Sequence, residues 1–185
     1  MMSAVRAALL VTWLGAVVHA DPAPSEPSEP APPPLAVAVE LGLADGETTY
    51  VSPAATPSLG LEVGYHVDRI TTVGLHLGFA HASDDQSELF GSTPYTLVPI
   101  DVAAYVSGTA HDLLWGGVFA GAHFDRFQVN GEPVTWDTGL GLGLFAGLDL
   151  VRVDDLRFGA FVSIQTEVGG STGYEAATAG LSFRR

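Results

Sequence analysis

The chain has 185 residues, 47% of them hydrophobic and only 15% charged, with 22 glycines and no cysteine. A formal charge of −14 without a single lysine repels phosphate backbones, so nucleic-acid binding is not expected, and zero cysteines exclude disulfides, thiolate metal sites and cysteine nucleophiles. Beyond the N-terminus no run of about 18 uncharged apolar residues occurs, so no transmembrane helix is expected in the remainder.

In chain order, residues 1–20 read as an export signal: Arg6, an apolar stretch over residues 7–18, and small residues at Val18 and Ala20 before the cut. Its removal leaves six arginines against 21 carboxylates. Residues 21–34, "DPAPSEPSEPAPPP", form a Pro/Glu-rich linker that cannot bury apolar surface and reads as an extended, disordered spacer.

From residue 35 onward the apolar pattern has a period of two. The first segment sets Leu35, Val37, Val39, Leu41 and Leu43 against Ala36, Ala38, Glu40 and Gly42. The second sets Leu59, Leu61, Val63, Tyr65 and Val67 against Gly60, Glu62, Gly64 and His66; the third sets Val73, Leu75, Leu77 and Phe79 against Gly74, His76 and Gly78. A fourth places Val98, Ile100, Val102 and Val106 against Pro99, Asp101 and Tyr105. The fifth, "LLWGGVFAGAHFD", carries apolar residues on both parities, and His123 and Asp125 assign its odd positions to the polar side. The sixth, "GLGLGLFAGLDL", alternates leucine with glycine almost without interruption. The seventh opposes Phe158, Ala160, Val162 and Ile164 to Arg157, Gly159, Ser163 and Gln165, and the eighth opposes Ala177, Ala179, Leu181 and Phe183 to Thr178, Gly180 and Ser182.

Connections between the eight segments alternate long and short: residues 45–57, 68–70, 82–94, 108–112, 126–136, 152–155 and 169–173. Segments of about ten residues match a tilted strand crossing hydrocarbon. The pattern therefore predicts an all-β, eight-stranded antiparallel up-and-down transmembrane β-barrel over residues 35–185. Closure satisfies every backbone group, which lipid demands. Glycine opposite leucine has a reason here, because the inside of so small a barrel is narrow and the outside meets lipid. A soluble periplasmic ligand-binding barrel is the alternative, and it would need bulky apolar residues lining a pocket.

Ionisable residues on the polar parity are expected to fill the lumen: Glu40, Glu62, His66, His76, Asp101, Asp149, Arg157, and with them His123 and Asp125. A three-residue turn at Asp68–Ile70 would place Glu62 opposite His76, and one at Arg152–Asp154 would place Asp149 opposite Arg157. Facing opposite charges satisfy partners that would otherwise be buried unpaired. Tyr50, Phe90, Tyr95, Trp136 and Tyr174 at one end, with Trp115 and Phe183 at the other, are expected to form interfacial aromatic girdles. The loop carboxylates Asp45, Glu47, Asp84, Asp85, Glu88, Glu132 and Asp137 lack calcium-loop spacing, so no metal is expected. Gly141 to Ala146 fits G-x-G-x-x-A but continues as strand, so no dinucleotide or other cofactor is expected.

"TAGLSF", residues 178–183, resembles the C-terminal assembly signal of outer-membrane barrels through Thr178, Gly180, Leu181 and Phe183; Arg184 and Arg185 follow it. With the export signal and eight segments, residues 35–185 resemble the small OmpA/OmpX-like outer-membrane β-barrel family. The resemblance implies a monomer in the bacterial outer membrane, inserted by the barrel-assembly machinery and contacting outer-membrane lipid and lipopolysaccharide. It implies a structural or surface-interaction role without catalysis. His81-Ala82-Ser83 is also similar to the His-x-Ser pair of outer-membrane lipid A deacylases, which makes His81 and Ser83 the residues of an enzymatic alternative.

Overall fold

In a computed structural model, residues 35–48, 55–84, 94–110, 113–129 and 131–185 are described. The export signal, the linker, Tyr50, Asp85, Glu88 and Phe90 lie outside them. The strands are β1 (Leu35–Glu47), β2 (Thr56–His66), β3 (Thr71–Ala80), β4 (Ala82–Asp84), β5 (Tyr95–Ala110), β6 (Leu114–Val129), β7 (Thr135–Val153), β8 (Leu156–Val168) and β9 (Glu175–Arg184). They form one sheet in the order β3-β2-β1-β9-β8-β7-β6-β5-β4, closed by pairing of β3 with β5. β3 and β4 share one register on β5, with Phe79 opposite Ile100 and Ala82 opposite Leu97, so the two are one wall interrupted at His81. The architecture is a closed eight-stranded antiparallel barrel.

The expected parities hold on every wall. Leu41, Leu59, Leu75, Val106, Leu140, Leu150, Val162 and Leu181 point outward and are exposed, Leu75 at 62% and Leu150 at 63%. A continuous leucine and valine belt of this kind is stable in hydrocarbon rather than water. It displaces the soluble-barrel alternative, in which such side chains would have faced the interior.

Among the departures from the sequence reading, two concern how strands β6 to β8 are joined. Residues 126–136 were expected as a long loop, yet β6 and β7 keep pairing through Arg126–Trp136 and Phe127–Thr135, leaving five residues between them. The ladder needs only backbone partners, so it continues beyond the apolar belt, and β7 reaches 19 residues instead of about ten. The second departure is the β7–β8 turn, which falls at Asp154–Asp155 with Asp154 at φ 53°, a region that Asp tolerates. A bulge at Leu150 lets Asp149 face Gly159 while Arg157 faces Arg152. The expected Asp149–Arg157 register is therefore wrong. The Asp68–Ile70 turn forms as expected: the Asp68 carboxylate accepts the amides of Ile70 at 2.8 Å and Thr71 at 2.7 Å, and Glu62 faces His76.

Candidate functional site

The barrel interior is built by the even positions of β1 to β3 and β9 and the odd positions of β5 to β8. At the turn end, Asp149 of β7 accepts from Arg184 of β9 at 2.6 and 3.3 Å and from Arg157 of β8 at 3.3 Å. Arg157 thus reaches Asp149 diagonally, despite the shifted register. The Arg184 guanidinium also lies 4.0 Å over the Trp115 ring. His66 of β2 contacts the Thr72 hydroxyl at 2.9 Å nearby.

Above this lies a packed aromatic layer of Tyr105, Trp115, Phe119, Phe145 and Phe161, with Ala103. Their neighbours explain the glycines. A Cβ at Gly143 would collide with the Phe119 ring, and one at Gly147 with the Trp115 ring. Glycine on the inner face of β7 is the space that the aromatic rings of β6 occupy. Trp115, at 1% exposure, is therefore no part of an interfacial girdle. Tyr95 and Tyr174 are buried inside as well, in an apolar cluster with Leu97, Ala82 and Ala176. Each of the three falls on the inward parity of its strand or loop, and parity prevails over position near a strand end. Trp136 and Phe183 do face outward.

Near mid-height, Glu62 faces His76 across β2 and β3, with Oε1 and Nδ1 3.5 Å apart. Glu40 of β1 faces Gly60, and the His76 ring stacks on Phe119 at 4.9 Å. A cavity of about 50 Å³ beside these groups touches Glu40, His76, Asp101, Gln165 and Tyr174, room for a few waters.

Toward the loops, His123 is almost wholly buried, with Nδ1 2.7 Å from Asp101 Oδ1 and Nε2 3.1 Å from Asp125 Oδ1. Only an imidazolium donates to both. Asp101 also accepts from Gln165 at 3.0 Å. The Thr172 hydroxyl stands 2.5 Å from Asp125 and 2.9 Å from Glu167, and Glu167 accepts the Tyr174 amide at 3.1 Å. The Tyr174 ring covers His123 at 4.9 Å. Outside, Asp137 accepts the amides of Ser171 (2.6 Å) and Thr172 (2.7 Å) and the Ser171 hydroxyl (2.8 Å), clasping the β8–β9 loop.

Of the residues expected in the lumen, Glu40, Glu62 and His76 come together as one group, Asp101 joins His123 and Asp125, and Asp149 and Arg157 form a third. Arg184, Glu167 and the gathering of the aromatic rings into one layer were not anticipated, although Gln165 and Tyr105 were expected on the inward parity. Arg184 and Glu167 lie on inward parity with Ser182 and Gln165, which was the available signal. His81 and Ser83 are both exposed on the outer face of the rim. Thr178 and Gly180 point inward on β9, while Leu181 and Phe183 point outward, opposite Leu41 and Val39 of β1.

No protein-family model matches the chain, and comparison with curated proteins found no match. Solved structures do match. Ail, the attachment invasion locus protein of Yersinia pestis, superposes with a TM-score of 0.62 at 10% identity, covering 82% of this chain and 97% of that one. Neisserial surface protein A matches with a TM-score of 0.58 at 15% identity, over 84% of this chain and 98% of the other. The outer membrane protein OprG of Pseudomonas aeruginosa gives 0.51 at 11%, over 81% and 95%. At such identities the likeness is one of fold, and the chain has the fold of the small eight-stranded outer-membrane β-barrels.

Proposed function

We propose that the chain is exported under its signal (1–20), carries a Pro/Glu linker (21–34), and resides as a monomer in the bacterial outer membrane. There the barrel serves as a rigid, non-catalytic platform whose loops make contacts at the cell surface. Outer-membrane lipid and lipopolysaccharide surround the belt, and Thr178, Gly180, Leu181 and Phe183 serve the barrel-assembly machinery. The observation that carries this reading is the aromatic layer inside the barrel. Tyr105, Trp115, Phe119, Phe145 and Phe161 pack together there, which favours a poor conduit for solutes.

Ail was solved with a heparin analogue, sucrose octasulfate. A chain with 21 carboxylates against seven arginines does not favour so anionic a ligand, so its surface partners are expected to be neutral or cationic. Purified protein in planar bilayers should give no steady nanosiemens-scale steps. Such steps would overturn the closed-lumen reading. An unchanged lipid A mass spectrum after overexpression is expected, and loss of an acyl chain that depends on His81 and Ser83 would establish the enzymatic alternative instead.

A further inference from the structure

Glu40, Glu62 and His76 each present a donor atom, and these atoms lie within 4.8 Å of one another. All three residues are more than nine-tenths buried, at 5, 4 and 8% exposure. Among the described residues, Glu40 Oε1, Glu62 Oε1 and His76 Nδ1 find no hydrogen-bond partner. A buried carboxylate oxygen without a donor is costly, and two of them beside an imidazole nitrogen form an acceptor-rich group in a poorly polarisable interior. The other buried cluster differs. Asp101, His123, Asp125 and Thr172 satisfy one another through short contacts, and among the described residues only Glu167 Oε1 is left over there.

The strand registers explain the convergence. Glu62 and His76 are direct cross-strand neighbours, while Glu40 sits one inward position along, opposite Gly60, which itself faces Gly78. Those two glycines leave the space over which Glu40 leans; a Cβ at Gly60 would come within 2.9 Å of its Oε2. Phe119 stacked on His76 holds the imidazole plane.

We propose that Glu40, Glu62 and His76 bind one divalent transition-metal ion inside the barrel. A carboxylate oxygen and an imidazole nitrogen that ligate the same ion at about 2.0–2.2 Å lie roughly 3–3.5 Å apart. The Glu62–His76 separation of 3.5 Å already meets this, and rotation of the Glu40 side chain supplies the third ligand. One imidazole with two carboxylates suits Zn²⁺, Co²⁺ or Ni²⁺ better than Ca²⁺ or Mg²⁺. A dication neutralises both carboxylates, and the adjoining cavity has room for the water that completes its shell.

The test uses tag-free, full-length protein folded in detergent, stripped with EDTA and titrated with CoCl₂. One Co²⁺ per barrel should bind with visible ligand-field absorption, and ZnCl₂ should displace it. Glu40→Gln, Glu62→Gln and His76→Gln should each weaken binding at least about tenfold, with folding confirmed by the heat-modifiable gel shift. For any variant that does not fold, the unaltered barrel answers the question: paramagnetic Co²⁺ should selectively shift or broaden the amide signals of Glu40, Glu62 and His76. No stoichiometric binding, binding that survives Glu40→Gln with Glu62→Gln, or binding abolished by His66→Gln or His81→Gln would each overturn the proposal.

Discussion

Leu144 and Gly143 are neighbours in sequence with opposite surroundings, and substitutions at them should fail for different reasons. Leu144 points outward near the middle of β7, so Leu144→Arg should cost about 2–4 kcal/mol of insertion free energy. Leu140→Arg and Leu148→Arg, nearer the ends of the belt, should be milder. Folding into vesicles followed by gel shift measures the difference. Gly143→Leu should block folding because its side chain would occupy the Phe119 ring position. The turn-end cluster offers a second comparison. Arg184 gives Asp149 two hydrogen bonds, the shorter at 2.6 Å, and covers Trp115, whereas Arg157 reaches it at 3.3 Å. Arg184→Ala should therefore be the more damaging change, by about 1–3 kcal/mol in urea unfolding, with Arg157→Ala the smaller loss. Asp68 supplies a pH dependence. The amides of Ile70 and Thr71 hold its carboxyl below the ordinary aspartate range. With the folded value lowered, its contribution is present above the ordinary value and lost as pH falls through the lowered one. Amide shifts of Ile70 and Thr71 should titrate below the ordinary aspartate range, and Asp68→Asn should flatten them.

At the level of strands, period two was enough to identify eight walls and both faces of each, because hydrocarbon imposes a strict demand on the outer face alone. Even the ambiguous segment, now β6, resolved correctly through His123 and Asp125. Less legible was anything that depends on two strands at once. Trp115, Phe119, Phe145 and Phe161 sit on inward parity, but a pattern rule assigns aromatic residues outward unless the glycines opposite them are counted as space. The Asp149 site was half legible. Its membership was readable from parity, whereas the Leu150 bulge leaves no mark in the composition. The upper ends of β6 and β7 were missed because the pattern was followed only where lipid enforces it. The clasp between β7 and the β8–β9 loop shows what these upper ends contribute. Asp137→Ala removes the acceptor for Ser171 and Thr172, and hydrogen exchange over residues 169–174 should rise about tenfold while the barrel strands keep their protection.

Across the whole molecule, the lumen is stratified. Arginine–aspartate pairing lies at the turn end, aromatic packing above it, then the Glu40 group and the His123 cluster toward the loops. Polar groups are admitted to the interior in discrete clusters, which fits a narrow barrel without bulk water. The expected export signal, linker and loop aromatics Tyr50 and Phe90 lie outside the described residues, so their roles rest on sequence.

The seam between β1 and β9 has a kinetic consequence. It pairs Leu41 with Leu181 and Val39 with Phe183, positions about 140 residues apart, whereas most other walls join neighbours across a turn. Loop-closure entropy makes such a contact among the last to form, and until it does both edge strands carry open backbone groups that hydrocarbon will not tolerate. Insertion should consequently be concerted, with the nearly complete sheet waiting at the bilayer surface for its final strand. A chain ending after Gly173, without β9, should bind vesicles yet remain extractable by urea and never acquire the gel shift. Adding a β9 peptide in trans should restore a fraction of it.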